Sequence, residues 1–146
     1  MEFCEIEISE IGKYVEIAFE GDNELVEKFH YSDKTLEETI TGNVANIQNL
    51  NSLYPLTCYC VKLFDSIEIG FVVLRENLLY SFGINKKYRT KEILKEWWEI
   101  IKAILEYQFV VCLYPENTRA IDFFVRNGMK IKETTDNNIT LIFKQY

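Results

Sequence analysis

The stretch LLYSFGINKKYRTKEILKEWW, residues 78–98, changes its patterning halfway along. Residues 78–84 are apolar and aromatic and read as a strand. Thr90 is a good helix N-cap. Ile93, Leu94, Trp97, Ile101, Ile104 and Leu105 then recur at spacings of three and four, which predicts a helix over 90–106. FVVCLY, residues 109–114, is almost wholly apolar and predicts a strand buried on both faces. Strand, helix and strand of these lengths form a βαβ unit, so strands 78–84 and 109–114 are expected to be parallel neighbours.

Upstream, LTCYCVKLF (56–64) and EIGFVVLR (68–75) are β-branched and aromatic, with only DSI between them. They predict an antiparallel hairpin, which a turn at Glu76 and Asn77 extends into a three-stranded meander. Pro55 ends a helical region. Within that region, Leu36, Ile40, Val44, Ile47 and Leu50 mark one helix, with Ser32 or Asp33 as candidate caps. Leu25, Val26 and Phe29 suggest a further turn or two of helix. Ile11, Tyr14, Val15 and Ala18 predict a helix over 10–19, broken by GDN at 21–23, and residues 2–8 alternate as a strand. Downstream, Asn117 can cap a short helix and Gly128 can end it. MKIKET and ITLIFKQY predict a closing hairpin across Asp136, Asn137 and Asn138. No repeat or linker divides the chain, so residues 1–146 read as one domain.

The composition narrows the functional classes. Of the 146 residues, 48% are hydrophobic, enough for a real core. The net charge of −7 disfavours nucleic acid and anionic lipid as partners. Cys4, Cys58, Cys60 and Cys112 form no CxxC pair, and the single histidine, His30, is remote from them. Neither a metal site nor a disulfide is expected, and buried free thiols are the simpler reading. MEFCEIEISE is not a signal sequence, and no segment reaches the ~20 apolar residues of a membrane span. The chain reads as soluble and cytoplasmic.

No GxSxG, HExxH or Walker motif occurs. ENTRAIDFFVRNGMKI, however, resembles the C-terminal signature of the GNAT N-acetyltransferases, an Asn, an Ala three later, Phe-Tyr and Gly-Phe. Asn117, Ala120, Phe123-Phe124 and Gly128-Met129 stand in those places. INKKYRTKEIL resembles the family's Val-x-Pro-x-Tyr-Arg-Gly-x-Gly-x-Gly stretch at Ile84, Tyr88 and Arg89, with Lys86 in place of proline. The resemblance implies an α/β (α+β) fold with a mixed, mainly antiparallel sheet and helices on both faces.

It also implies acetyl-CoA as cofactor and a small-molecule or peptide amine as acceptor. Phe82, Gly83 and Ile84 would lie along pantetheine. Arg89, Thr90, Lys91, Glu92, Ile93 and Leu94 would surround the pyrophosphate at a helix N-terminus, and Asn117 would face the cofactor. Three further positions depart from the family. Glu92 and Leu94 replace glycines that bare the backbone to phosphate. Phe124 stands where many members have a tyrosine able to protonate the leaving thiolate. Glu68, Glu76, Tyr80 and Ser81 are the candidate proton-relay residues, and the sequence does not choose among them. Two functions are therefore expected: an N-acetyltransferase, or a GNAT-like domain without catalysis that binds or regulates. The second would require an exposed apolar or self-association surface.

Overall fold

A computed structural model describes residues 1–24 and 35–145. The helical turns expected around Leu25, Val26 and Phe29, the candidate caps Ser32 and Asp33, and His30 lie outside the described residues. The elements are β1 (Glu2–Ile6), α1 (Ile11–Phe19), α2 (Leu36–Leu53), β2 (Thr57–Lys62), β3 (Glu68–Arg75), β4 (Leu78–Ile84), α3 (Lys91–Ile104), β5 (Gln108–Leu113), α4 (Thr118–Arg126), β6 (Lys130–Thr134) and β7 (Ile139–Lys144). The seven strands form one sheet in the order β1-β2-β3-β4-β5-β7-β6. Every neighbouring pair is antiparallel except β4 and β5, which α3 connects in parallel. This is the mixed, mainly antiparallel sheet that the sequence predicts.

Helices cover both faces. On one, Trp97, Trp98, Ile101 and Leu105 of α3 and its C-cap join Phe124 of α4 over Val72, Leu79, Phe109, Val111 and Phe143. On the other, Ile11, Tyr14, Val15 and Ala18 of α1 and Ile47 of α2 cover Cys58, Cys60, Phe71 and Val73. β3 alternates between these two cores and is buried along Ile69–Leu74. β5 was expected to be buried on both faces, and it is not. Phe109, Val111 and Leu113 are buried while Cys112 is exposed. Its second face lacks cover, since Val110 and Cys112 belong to neither hydrophobic core.

Local chemistry sets the helix ends. The α2 cap is Thr35, whose hydroxyl accepts from the Glu38 amide at 3.1 Å while Glu38 reaches back to the Thr35 amide. Thr90 caps α3 by accepting from the Ile93 amide at 3.3 Å, and Asn117 caps α4. Gly128, at φ +100, follows α4 and lets the chain turn into β6.

Two glycines serve close packing within the sheet. A Cβ on Gly70 would lie 2.0 Å from the carbonyl oxygen of Gly83 on the neighbouring strand. A Cβ on Gly83 would meet Phe19 and Ala18 of α1 at 3.0 and 3.1 Å. β3, β4 and α1 therefore approach as closely as bare backbone allows. Gly70→Ala is expected to cost about 3 kcal/mol, as an overpacked site with no flexible neighbour to yield. Urea unfolding against Gly42→Ala, where nothing lies within 4 Å of the added Cβ, measures the difference.

Candidate active site

β4 and β5 share two pairs, Leu78 with Val110 and Leu79 with Val111. β4 then runs on to Ile84 and β5 to Leu113 without further pairing to each other. The other edge of β4 is also interrupted: Val73 opposes Ser81 and Leu74 opposes Leu79. Tyr80 is the extra residue of this bulge. It has a ladder partner on neither edge, at the point where the strands part.

Aromatic rings pack under the freed end of β4 on the α3–α4 face. Phe82 meets Phe124 edge to face, 5.6 Å between centroids, and Trp97 at 5.5 Å. Phe124 is fully buried and packs on Trp98 at 5.7 Å. The position where the family carries tyrosine is thus part of the hydrophobic core.

Two cavities open along the cleft and share Phe19, Phe82 and Asn117 as walls. The first, of about 170 Å³, is lined by Phe82, Gly83, Ile84, Arg89, Leu94 and Asn117, which the sequence singled out, and by several residues it did not, among them Asp22, Glu24, Trp97 and Arg119. Thr90 is spent on its cap. Lys91 and Glu92 are exposed at the first turn of α3, and Ile93 is half-buried against the core. The amides of Lys91 and Glu92 precede any acceptor within the helix, so they remain the donors of this N-terminus. The second cavity, of about 390 Å³, is lined by Tyr80 and Ser81 together with Glu38, Asn43, Asn46, Cys112, Tyr114 and Asn138.

Of the four proton-relay candidates, only Tyr80 and Ser81 line the cleft. Glu68 receives Lys13 at 3.2 Å, and Glu76 sits in the β3–β4 turn at φ +52. Burial, reinforced by Tyr114, pushes the Tyr80 hydroxyl above its ordinary pKa. It therefore stays protonated at neutral pH and is a proton donor, not a base.

The charges at the first cavity cancel. Arg89 donates through Nη2 to Asp22 Oδ2 at 2.7 Å and through Nε to the Ile84 carbonyl at 2.8 Å. Arg119 pairs with Glu24. Lys86 Nζ donates to the Gly21 carbonyl at 2.6 Å. The turn after α1 thus engages all three cations. Asn85 ties the same region together, donating to the Ile17 carbonyl at 2.8 Å and accepting from the Lys87 amide at 3.0 Å. The sequence pointed to Arg89 but not to its partner 67 residues away.

Two further expectations meet the structure here. Cys58 and Cys60 are buried, as free thiols were expected to be, but Cys4 is half-buried and Cys112 is exposed in the second cavity. Among the described residues no helix is long and apolar enough to cross a membrane.

Neither a protein-family model nor a curated protein matches the sequence. Solved structures do. The PaiA N-acetyltransferase from Thermoplasma acidophilum, solved in complex with coenzyme A, shares 20% identity and a TM-score of 0.65 over 99% of this chain and 98% of its own. An acetyltransferase from Thermus thermophilus gives 13% identity and a TM-score of 0.73 over 97% and 94%. A chimera of the Vibrio cholerae spermidine N-acetyltransferase SpeG gives 10% and 0.56 over 99% and 95%. The chain has the fold of the GNAT N-acetyltransferases.

The cysteines offer a direct check on the second cavity. Cys4 donates to Glu2, and that bond, ahead of burial, pushes its thiol up to about 11. Burial does the same to Cys58, also to about 11. A raised pKa keeps the thiol protonated until the pH nears that value, so at pH 8 each is roughly a thousandth thiolate. Maleimide at pH 8 is expected to label Cys112 first, with peptide mass mapping as the readout. Labelling of Cys58 or Cys60 before Cys112 would contradict the burial described above.

Proposed function

We propose that this protein is an N-acetyltransferase that uses acetyl-CoA to acetylate an amine. The observation that carries the reading is the parting of β4 and β5 beside the unpaired Tyr80. An extended ligand arm can lie in that gap and take hydrogen bonds from strand backbone that no neighbour uses. Acetyl-CoA would supply an acetyl group activated as a thioester. A backbone amide at this break in the ladder would suit a carbonyl on which negative charge develops. The Tyr80 hydroxyl is available as a proton donor, a role that Phe124 cannot fill. The α3 N-terminus offers the Lys91 and Glu92 amides to phosphate, though Leu94 supplies a side chain where the family has bare backbone.

The fit is closest along β4 and poorest at the phosphate end. Asp22 and Glu24 already neutralise Arg89 and Arg119. A diphosphate must compete with both carboxylates. This favours a second reading, in which the cleft no longer binds the cofactor and the domain serves as a binding or regulatory module.

Calorimetry with acetyl-CoA and with pantetheine separates the two. The transferase reading expects both to bind, with acetyl-CoA the tighter. Silence from both at millimolar concentration would leave only the module. Asp22→Asn adds a directional test. Removing one carboxylate beside the phosphate end should tighten acetyl-CoA by about tenfold and leave pantetheine unchanged. The same change leaves Arg89 largely buried without its partner, so a lower melting temperature should accompany it.

A further inference from the structure

The two cavities differ in chemistry. The first is mostly apolar, with its charges paired. The second is rich in uncharged polar side chains: the carboxamides of Asn43, Asn46, Asn117 and Asn138 and the hydroxyls of Thr39 and Ser81. Asn43 and Thr39 each donate to a backbone carbonyl and Asn117 accepts from the Ala120 amide, so these three offer a ligand only their remaining capacity. Glu38 is its single charged residue among the described residues, and no lysine or arginine lines it. Glu38 Oε1 is occupied, accepting from the Thr35 amide at 3.3 Å and hydroxyl at 3.1 Å. Its Oε2 receives no hydrogen bond from a described residue.

We propose that the second cavity is the acceptor site and takes a hydroxyl-rich primary monoamine of the amino-sugar type without anionic groups, its ammonium held by Glu38. The inference rests on the reading of the cleft as an acyl-transfer site.

Three arguments lead to it. A polyamine carries several ammonium groups, and each one desolvated without a counter-charge is costly. One carboxylate can answer one ammonium. A phosphorylated or nucleotide-linked amine would bring anionic groups to a wall that offers no cation among the described residues. A sugar ring, in contrast, presents hydroxyls that donate and accept at once, as the carboxamides do. Its C–H faces can lie on rings such as Tyr80, Phe82 and Tyr114, which also line the cavity. A volume of about 390 Å³ falls within the range of small-molecule sites.

The test is direct binding to the full chain without cofactor, by calorimetry, using glucosamine, glucose, spermidine and glucosamine 6-phosphate. Glucosamine should bind at least about tenfold more tightly than each of the other three. Glu38→Gln should weaken glucosamine by about tenfold and bring it close to glucose. Glutamine also serves at this capping-box position, so the helix start is kept. Acetyl-CoA affinity, measured in parallel, should not change in this variant. Spermidine or the phosphate ester binding as tightly as glucosamine would overturn the proposal. So would an unaltered glucosamine affinity in Glu38→Gln, or no binding of any of the four. Glucosamine binding with no binding of acetyl-CoA would sink the transferase reading while leaving the amine site standing. The converse would do the opposite.

Discussion

The separation of β4 from β5 is the constraint on which the rest depends. A parallel pair left open exposes unpaired backbone, which is costly unless something else occupies or solvates the gap. Here Phe82, Trp97 and Phe124 fill one side. The bulge at Tyr80 shifts β4 out of register with β3 at the same level. Side chains beyond the bulge are thereby re-aimed, so that Phe82 joins the α3–α4 core while Tyr80 packs against the α1–α2 core. One irregular residue decides which rings pack under the strand and which line the opening.

The second organising feature is electrostatic. The chain is acidic as a whole, and its acid is also placed locally. Asp22 and Glu24 follow α1 by a few residues, and each reaches a different arginine of the cleft. The Arg89–Asp22 pair is largely withdrawn from water, with side-chain exposures of 20% and 10%. Arg119–Glu24 is exposed at 54% and 46%, so water and salt screen it and it contributes little to stability. The two pairs look alike in a list of charges. They differ in how firmly each cation is held against a competing anion.

Much of this fold was legible because local patterning and tertiary packing agree. The apolar runs at 68–75 and 78–84 have the bounds of β3 and β4, and Thr90 caps the helix its pattern announces. Ile11, Tyr14, Val15 and Ala18, spaced for one helical face, are the buried residues of α1. α2 was harder. Its cap is the T-x-x-E box at Thr35 and Glu38, a signal present in the sequence. The β5 pattern misled because an apolar strand can face a cleft as well as a core. The candidate site was half legible. Residues on β4 and at the start of α3 follow from the motif, whereas Asp22, Glu24 and Asn46 carry no local mark and Glu38 is marked only as a helix-capping residue. Polar residues on a helix or turn ordinarily face solvent, and only the long-range approach of α1 and α2 to the cleft brings these four to it.

That approach has one more consequence. Phe19 is a wall of both cavities, and it lies against Gly83, where no side chain on β4 keeps α1 at a distance. An occupant that displaces Phe19 from one side alters the shape of the other. The carboxylates that hold Arg89 and Arg119 stand on the segment leaving the same helix. Any displacement of Phe19 by a ligand in one half of the cleft would be felt in the other, and such linkage would run equally in both directions.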